Sequence, residues 1–226
     1  MARKKLGRAS IEKPPGRMPP LQFNAKHKIL TAALKVFSRD GFDGASIPKI
    51  AEASGVGHPL VHYYFGTKDN LWRETVDFAF GSLNRDASLV ASASRNLEPI
   101  DRLRVLIRAF THFAARYPDH FGLLLAEARS DSERLIWLRE NYADAFLGKL
   151  QGILREAQLK QQIRDIPVDH LSFILMGAML LFFSANFHLP QDADMERLAD
   201  AHADHVTAVL LEGVGLQRDG NLSLIV

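Results

Sequence analysis

The sequence contains no cysteine among its 226 residues, which excludes a disulfide-stapled fold and a cysteine nucleophile. It also lacks a long apolar segment: the longest run, residues 173–183, has 11 residues, whereas a membrane-spanning helix needs about 20. The first twenty residues are basic but have no apolar stretch typical of a signal-peptide core. We therefore expect a cytoplasmic protein that does not enter a membrane.

Signatures of common catalytic and cofactor sites are missing as well. There is no G-x-S-x-G, no G-x-x-x-x-G-K and no H-E-x-x-H, patterns that indicate a serine nucleophile, a phosphate-binding loop and a zinc site. His202 and His205 have the spacing of a metal-ligand pair, but two such histidines on an exposed helix are more often solvated or interfacial. We predict that the protein is not an enzyme and has no cofactor and no metal site.

The net charge of +2 conceals an uneven distribution. Residues 1–70 carry 12 Lys and Arg against 5 Asp and Glu, whereas residues 71–226 carry 16 against 21. A basic front favours a polyanionic partner. Residues 1–21 contain four prolines and six basic residues, and we predict a disordered basic tail because they cannot bury enough apolar surface. The sequence leaves open whether this tail lies along a phosphate backbone.

Beyond the tail, the apolar residues recur at the spacing of amphipathic helices, and no segment alternates as a strand does. The chain is therefore predicted to be all-α. A first helix is expected from residue 25 to a stop at Gly41. Two short helices follow at 46–53 and 58–64, the first with Ser46 as its N-cap.

The two short helices and the turn between them, residues 46–65, have the pattern of a helix-turn-helix motif. Gly55 suits the left-handed backbone of the turn. Apolar side chains occur where the helices must meet, at Ile50, Ala51, Val56, Val61 and Phe65. The second helix presents an outward surface that fits a major groove, formed by Gly57, His58, Pro59, Leu60, His62 and Tyr63.

Two lysines lie in the first turn of a helix, where the helix dipole disfavours a cation by about 0.3–1 kcal/mol. Lys68 begins the fourth helix and Lys49 follows Ser46. A bound phosphate would offset this cost, so we predict that Lys68 and Lys49 contact the DNA backbone; Ser46 is a further candidate DNA-binding residue. We expect His58 to contact a base edge and Tyr63 a base or a phosphate. For each residue, a surface position without this role is the alternative.

Residues 26–72 resemble the N-terminal domain of the TetR/AcrR family of bacterial transcription regulators. The resemblance rests on Ala32-Ala33 followed by Phe37, Gly41-Phe42, Ser46, Ile50-Ala51-Glu52, Gly55-Val56, Tyr64-Phe65 and Thr67-Lys68. The sequence departs from the family at Gly57, where serine is common, at His62, where tyrosine is common, and at Pro59, where many members have a small residue. These departures bear on which operator is bound more than on whether DNA is bound.

The resemblance implies that residues 22–82 form the DNA-binding domain and residues 83–226 a helical ligand-binding and dimerisation domain, joined by a long helix. The helix at 168–189 is apolar on nearly every side, so it must be covered within its own domain or by a second copy. The resemblance favours a homodimer formed by 168–189 and 194–212. Such a dimer would bind a palindromic operator in double-stranded DNA.

The resemblance also implies a small-molecule effector in the C-terminal domain, whose identity the sequence does not specify. The candidate ligand contacts are Phe110, His112, Phe113, Arg116, Trp137, Asn141 and Tyr142. Because aromatic residues at helical spacing are usually core residues, a structural role is the alternative for this set.

The function that fits these features best is a homodimeric repressor that a small molecule releases from its operator. An activator of the same family and a helical scaffold module that does not bind DNA are the alternatives. A helical hydrolase is a third interpretation, but no nucleophile and base that could carry it are found.

Overall fold

The computed structural model describes residues 20–184 and 194–213. These residues form ten α-helices: α1 (Pro20–Gly44), α2 (Ile47–Ser54), α3 (His58–Phe65), α4 (Lys68–Ala93), α5 (Pro99–Arg116), α6 (Pro118–Glu127), α7 (Glu133–Leu138), α8 (Asp144–Leu159), α9 (Val168–Ser184) and α10 (Met195–Val206). A π-helical turn, Arg139–Ala143, joins α7 to α8, and a second, Thr207–Glu212, continues α10. No strand occurs in this part of the chain, so the prediction of an all-α fold is confirmed. None of its helices is long and apolar enough to cross a membrane.

The short helices begin and end where local sequence signals place them. The Ser46 side chain accepts a hydrogen bond of 3.4 Å from the backbone N–H of Lys49 and so caps α2. Gly55 ends α2 in the left-handed conformation, with φ of 64°. Gly41, with φ of 68°, interrupts α1. The predicted stop is therefore present, although three more helical residues follow it.

One boundary differs from the sequence-based prediction, whereas a second falls inside the long helix that was expected to join the two domains. Helix α1 begins at Pro20, so Pro20 and Leu21 are helical and do not belong to a disordered tail. Proline fits the first turn of a helix because the N–H that it lacks has no helical acceptor there. Residues 1–19 lie outside the described residues. Helix α4 continues to Ala93, so the domain boundary predicted between residues 82 and 83 falls inside one continuous helix.

Helices α1 to α3 and the start of α4 share one apolar core. Its largest fully buried side chains are Ile29, Phe37, Ile50, Leu71 and Trp72. The residues predicted to join the two short helices lie in this core, with Ile50, Ala51, Val61 and Phe65 buried and Val56 partly buried. Isolated helices of eight residues are not stable in water, so this packing holds α2 and α3 at a defined angle.

Helix α5 lies in the middle of the C-terminal half, packed against α4, α6, α8, α9 and α10. Leu103 and Ile107 on its inner face are fully buried. The polar face of α5 pairs with α10: Arg108 forms ion pairs with Asp200 and Asp204. Helix α10 is therefore held to the centre of this domain by charge as well as by apolar packing.

The N-terminal helices meet the C-terminal half where α1 crosses α6. Gly122 on α6 lies so near Ser38 on α1 that a Cβ atom at residue 122 would stand 2.1 Å from the Ser38 Oγ and 3.3 Å from its Cβ. The close approach of the two helices therefore depends on a residue without a side chain at this point.

His120, also on α6, is 9 % exposed and lies among aromatic rings. The ring centroids of Tyr117 and Phe113 are 5.0 and 5.5 Å from its own, and its Nδ1 has no hydrogen-bond partner. Burial disfavours the charged imidazolium and lowers the pKa of His120 to about 4.

We expect the free energy of unfolding to fall by about 1–3 kcal/mol as the pH drops from 6.5 to 4. In this range the unfolded histidine, with an ordinary pKa of 6.5, takes up a proton that the buried ring does not. The stabilisation is thus present above pH 6.5 and lost towards pH 4. Urea titrations at several pH values measure it, and His120→Leu should flatten the profile; an equally steep profile in that variant would contradict the assignment.

Candidate nucleic-acid interface and ligand cavity

The helix-turn-helix presents its second helix, α3, to solvent. All six residues predicted to face outward are exposed: Gly57, His58, Pro59, Leu60, His62 and Tyr63. Tyr63 is 75 % exposed and Leu60 37 %. Because Val61 and Phe65 on the opposite face are buried, α3 cannot rotate to hide this surface. The predicted groove-facing surface is therefore present, and contact of its residues with DNA stays a prediction.

His62 is held in one orientation. Its Nδ1 lies 2.9 Å from the carbonyl oxygen of Gly66, and its ring meets that of His58 edge-on at 4.6 Å. A carbonyl oxygen only accepts hydrogen bonds, so Nδ1 carries the proton in the neutral ring and Nε2 is then an acceptor. It follows that His62 can donate to a phosphate through Nε2 only when the ring is protonated.

Lys49 has partners within the chain. Its Nζ donates to the Gly44 carbonyl at 3.0 Å and lies 3.5 Å from the Asp40 carboxylate. Hydrogen bonds from Arg39 to that carboxylate, at 2.7 and 3.0 Å, hold the pKa of Asp40 at about 2. The position of Lys49 at the start of α2 thus has an explanation without a phosphate, and its contact with DNA remains a prediction.

Lys68 likewise has a partner: its Nζ lies 4.3 Å from the ring centroid of Phe42. Arg134 on α7 contacts the same ring, at 3.6 Å. A cation–π contact is worth about 0.5–2 kcal/mol, enough to offset the helix-dipole cost of about 0.3–1 kcal/mol. The dipole argument alone therefore does not require a phosphate at Lys68.

The contact of Arg134 with Phe42 belongs to a larger junction between the two halves, which we define as Phe42, Lys68, Trp72, Arg134 and Trp137. The rings of Trp72 and Trp137 meet edge-on at 5.9 Å. The Nε of Arg134 also lies 3.2 Å from the carboxylate of Glu127, which is 3 % exposed. The junction therefore ties α7 to both α1 and α4.

Two small cavities share Leu83, Phe110 and Phe146 in their walls; we call the one between α4, α5 and α8 the outer cavity and the one that also reaches α6, α7 and α9 the inner cavity. The outer cavity, of about 60 Å³, is lined by Leu83, Asp86, Ala87, Val90, Ala91, Ser94, Arg102, Leu106, Ala109, Phe110, Phe113, Phe146, Lys149 and Ile153. The inner cavity, of about 30 Å³, is lined by Phe80, Leu83, Asn84, Phe110, Phe121, Leu124, Leu138, Tyr142, Ala143, Phe146 and Met176. The rings of Phe110 and Phe146, stacked at 4.0 Å, line both.

Three of the seven predicted ligand contacts line these cavities: Phe110, Phe113 and Tyr142. The other four do not. The His112 Nε2 lies 3.0 Å from Asp200, and Arg116 pairs with Glu196, so both point from α5 towards α10. Trp137 lies in the junction, and the Asn141 amide donates to the Trp137 carbonyl at 2.7 Å. Sequence-based prediction missed Arg102 and Lys149, which also line the outer cavity. The helical spacing 102, 106, 110 along α5 places Arg102 on the same face as Phe110 and could have indicated it.

Tyr142 connects the inner cavity to α4. It lies in the π-helical turn between α7 and α8, and its hydroxyl donates a hydrogen bond to the Asp77 carboxylate of α4. Burial, and then the hydrogen bond to Asp77, raise the pKa of Tyr142 above its usual value, so the phenol stays a donor. An occupant of the inner cavity would contact Tyr142, which is hydrogen-bonded to α4, and α4 begins directly after the helix-turn-helix.

His202 and His205 do not converge on a common point. The His202 Nε2 lies 2.8 Å from the carbonyl of Ala178 on α9, and its ring stacks on Phe182 at 4.3 Å, whereas His205 is exposed. Within residues 20–184 and 194–213, no group of three or more potential ligands could hold a metal ion. His202 thus joins α10 to α9.

Helix α9 exposes several large apolar side chains. Phe173 is 65 % exposed, Ile174 50 % and Leu181 47 %, and Val209 after α10 is 69 % exposed. The predicted dimerisation segment extends to residue 189, and residues 185–189 lie outside the described residues. Large exposed apolar side chains grouped on one helix are typical of an interaction surface.

An all-α chain with an exposed helix-turn-helix and a separate helical domain is the architecture of a DNA-binding regulator. Residues 29–75 match the family model of bacterial regulatory proteins, tetR family. The transcriptional repressor NicS of Pseudomonas putida is 28 % identical over 197 residues, which cover 81 % of this chain and 88 % of NicS. Through this N-terminal region the chain is similar to bacterial regulatory proteins of the tetR family, and the prediction of a DNA-binding transcription regulator is confirmed.

Solved structures share the fold. KstR2 of Mycobacterium tuberculosis, a ketosteroid transcriptional regulator, superposes with a TM-score of 0.70 at 14 % identity, covering 85 % of this chain and 95 % of KstR2. AibR, solved with isovaleryl coenzyme A and operator DNA, superposes with a TM-score of 0.68 at 17 % identity, covering 83 % of this chain and 98 % of AibR. These matches extend the likeness from the helix-turn-helix to the C-terminal helices.

Proposed function

We propose that the protein is a cytoplasmic homodimeric repressor, without catalytic activity or cofactor, that a small molecule releases from a palindromic operator. The observation that carries this proposal is the exposed surface of α3, held outward by the buried Val61 and Phe65. NicS is named as a repressor, and AibR was solved with both a small molecule and operator DNA. Residues 22–82 would bind DNA, and residues 83–226 would bind the ligand and dimerise.

The apolar face of α9 supports the homodimer. Leaving Phe173, Ile174 and Leu181 in water forgoes about 1.5–3 kcal/mol for each side chain that a partner would bury. The same face on a second copy is an equally apolar partner, which is the requirement of a twofold interface. A dimer would present two α3 helices to half-sites about 34–36 Å apart.

The cavities and the junction support ligand release. An occupant that displaces Tyr142 would disturb its hydrogen bond to Asp77 and so shift α4, on which the DNA-binding helices pack. For a 100-fold loss of operator affinity, the ligand must favour the releasing state by about 2.7 kcal/mol. A hydrogen bond to a charged group is worth about 1.5–3 kcal/mol, so loss of the exposed Tyr142–Asp77 bond would supply part of this difference.

Selection from a random double-stranded DNA library tests the function directly. We expect enrichment of one palindromic sequence bound at least 10³-fold more tightly than random DNA. Tyr63→Ala should then lose about 1–3 kcal/mol at particular base pairs of that sequence. If no sequence is enriched and every affinity stays at about 10⁻⁴–10⁻⁶ M, the helical scaffold becomes the better interpretation. An equal loss on operator and random DNA would place Tyr63 among the backbone contacts instead.

We expect Lys68→Ala to weaken binding to all sequences alike and to lower the slope of log affinity against log salt by about one unit. One fewer phosphate contact releases one fewer counterion. Anisotropy titrations between 50 and 200 mM salt measure the slope. Arg85→Ala is the matched control, because this exposed residue lies on the same helix about 26 Å from Lys68. If both Lys68→Ala and Arg85→Ala keep the slope of the parent protein, Lys68 contacts Phe42 and does not contact a phosphate.

A further inference from the structure

The wall of the outer cavity combines apolar side chains with a few charged ones. The apolar ones are aliphatic and aromatic, including Leu106, Phe110 and Phe113. Arg102, Lys149 and Asp86 line it as well, and they are its charged residues. Because the cavity wall is otherwise apolar, these three groups decide which head group an occupant can carry.

Arg102 holds a hydrogen-bond donor that the fold does not use. One of its terminal nitrogens, Nη1, is 2.6 Å from the Glu156 carboxylate, but the Nε is buried and has no hydrogen-bond partner among the described residues. A buried donor without an acceptor costs about 1–3 kcal/mol, and more when it is charged. The site therefore favours an occupant with an acceptor oxygen next to Arg102.

The other polar groups in the wall of the cavity restrict which head group the occupant can carry. The Ser94 hydroxyl already donates to the Val90 carbonyl at 2.8 Å, so the free side-chain donors in the wall of this cavity belong to the cations Arg102 and Lys149. Asp86 adds one negative charge nearby. The two cations favour an occupant with an anionic head group. Asp86 disfavours a second negative charge on that head group. Glu156 already forms an ion pair with Arg102, so it neutralises part of the positive charge.

The two cavities together extend along α4 from Phe80 to Ser94, which is about 21 Å at the rise of an α-helix. Their volumes are far below the roughly 300–1,000 Å³ of ordinary ligand pockets. An occupant must therefore part the stacked rings of Phe110 and Phe146. Phe146 is one helical turn from Tyr142, so parting these rings acts on the residue bonded to Asp77.

We propose that the effector is an elongated apolar monocarboxylate, with its carboxylate at Arg102 and Lys149 and its apolar body between Phe110 and Phe146. This inference rests on the proposed ligand-responsive function and adds the chemical class of the ligand. The carboxylate completes the bonding of the Arg102 Nε, and the apolar body takes the place of the Phe110–Phe146 contact. Burying the six methylene groups and the terminal methyl group of an eight-carbon monocarboxylate gives the body most of its affinity.

Four eight-carbon probes test the class: octanoate, octan-1-ol, octylamine and octanedioate, titrated calorimetrically into the full-length protein. We expect octanoate to bind at least tenfold more tightly than each of the others. In Arg102→Met, octanoate should lose at least tenfold while octan-1-ol binds as before. Arg102→Lys, which keeps the charge and lacks the Nε donor, should lose an intermediate amount.

Arg104→Met is the matched control, because Arg104 lies on the same helix, pairs with Asp101 and does not line the cavity. It should leave octanoate binding unchanged. Ala91→Phe, which fills the outer cavity, should abolish binding of every probe and keeps the test valid if Arg102→Met does not fold. Equal affinities for octanoate and octylamine, or no effect of either Arg102 variant, would overturn the proposal. Operator binding measured in parallel separates the two conclusions: a protein that binds its operator but not octanoate loses only the ligand class.

Discussion

Replacing Phe173 by Asp is expected to convert the proposed dimer to a monomer and to weaken operator binding by at least 100-fold. Phe173 is 65 % exposed in the single chain, so the substitution does not disturb the core of a subunit. Two buried carboxylates facing each other across a twofold axis would be far more costly than two exposed ones. A monomer also loses the gain of about 10²–10⁴ that comes from binding two half-sites at once.

Sedimentation velocity and anisotropy titrations measure the two effects. Leu159→Asp is the matched control, since Leu159 is 85 % exposed at the end of α8, away from the apolar face of α9. This variant should remain a dimer with unchanged operator affinity. A Phe173→Asp protein that is still dimeric at micromolar concentration would show that the twofold interface lies elsewhere.

Replacing Gly122 by Val is expected to force α6 away from α1 and to reduce operator affinity at least tenfold. A Cβ here meets the Ser38 Oγ at 2.1 Å, and overpacking of this kind costs about 1–3 kcal/mol. Since α1 packs with the helix-turn-helix and α6 belongs to the C-terminal half, their separation changes the angle at which α3 is presented. Thermal unfolding and operator titration report the two consequences.

Glycines elsewhere provide the comparison. Gly148 on α8 has open space where its Cβ would lie, so Gly148→Ala should raise stability by about 0.5–1 kcal/mol through helix propensity alone. The milder Gly122→Ala should lower operator affinity less than Gly122→Val. Combining it with Ser38→Gly, which moves the side chain from one helix to the other, should restore binding. If Gly122→Val binds the operator like the parent protein, the crossing of α1 and α6 does not set the angle of α3.

The DNA-binding half was predictable from sequence because its determinants are local. The cap by Ser46 and the left-handed Gly55 act within four residues, and the outward surface of α3 follows from the burial of Val61 and Phe65. The lysines were harder to interpret. The surroundings of Lys68 include the ring of Phe42, which the tertiary structure brings to it. The two residues are 26 positions apart in the sequence, so helical spacing does not predict their contact.

The C-terminal half was less predictable because its helices have more than one buried face. On α5 the spacing 108, 112, 116 pairs with α10, whereas the spacing 102, 106, 110 lines the outer cavity. His112 pairs with Asp200, 88 residues further along the chain, and Arg116 pairs with Glu196, 80 residues further along. Sequence periodicity finds both faces but does not say which neighbour each one meets.

The contact between Trp72 and Trp137 gives the protein an internal optical probe. The sequence has only these two tryptophans, and their rings lie 5.9 Å apart where the two halves of the molecule meet. Tryptophan emission excited at 295 nm therefore comes from this one place, without any label. A movement of α7 relative to α4 changes both the polarity around Trp137 and the coupling between the two indoles, so one unmodified sample can be followed in real time through operator binding and release.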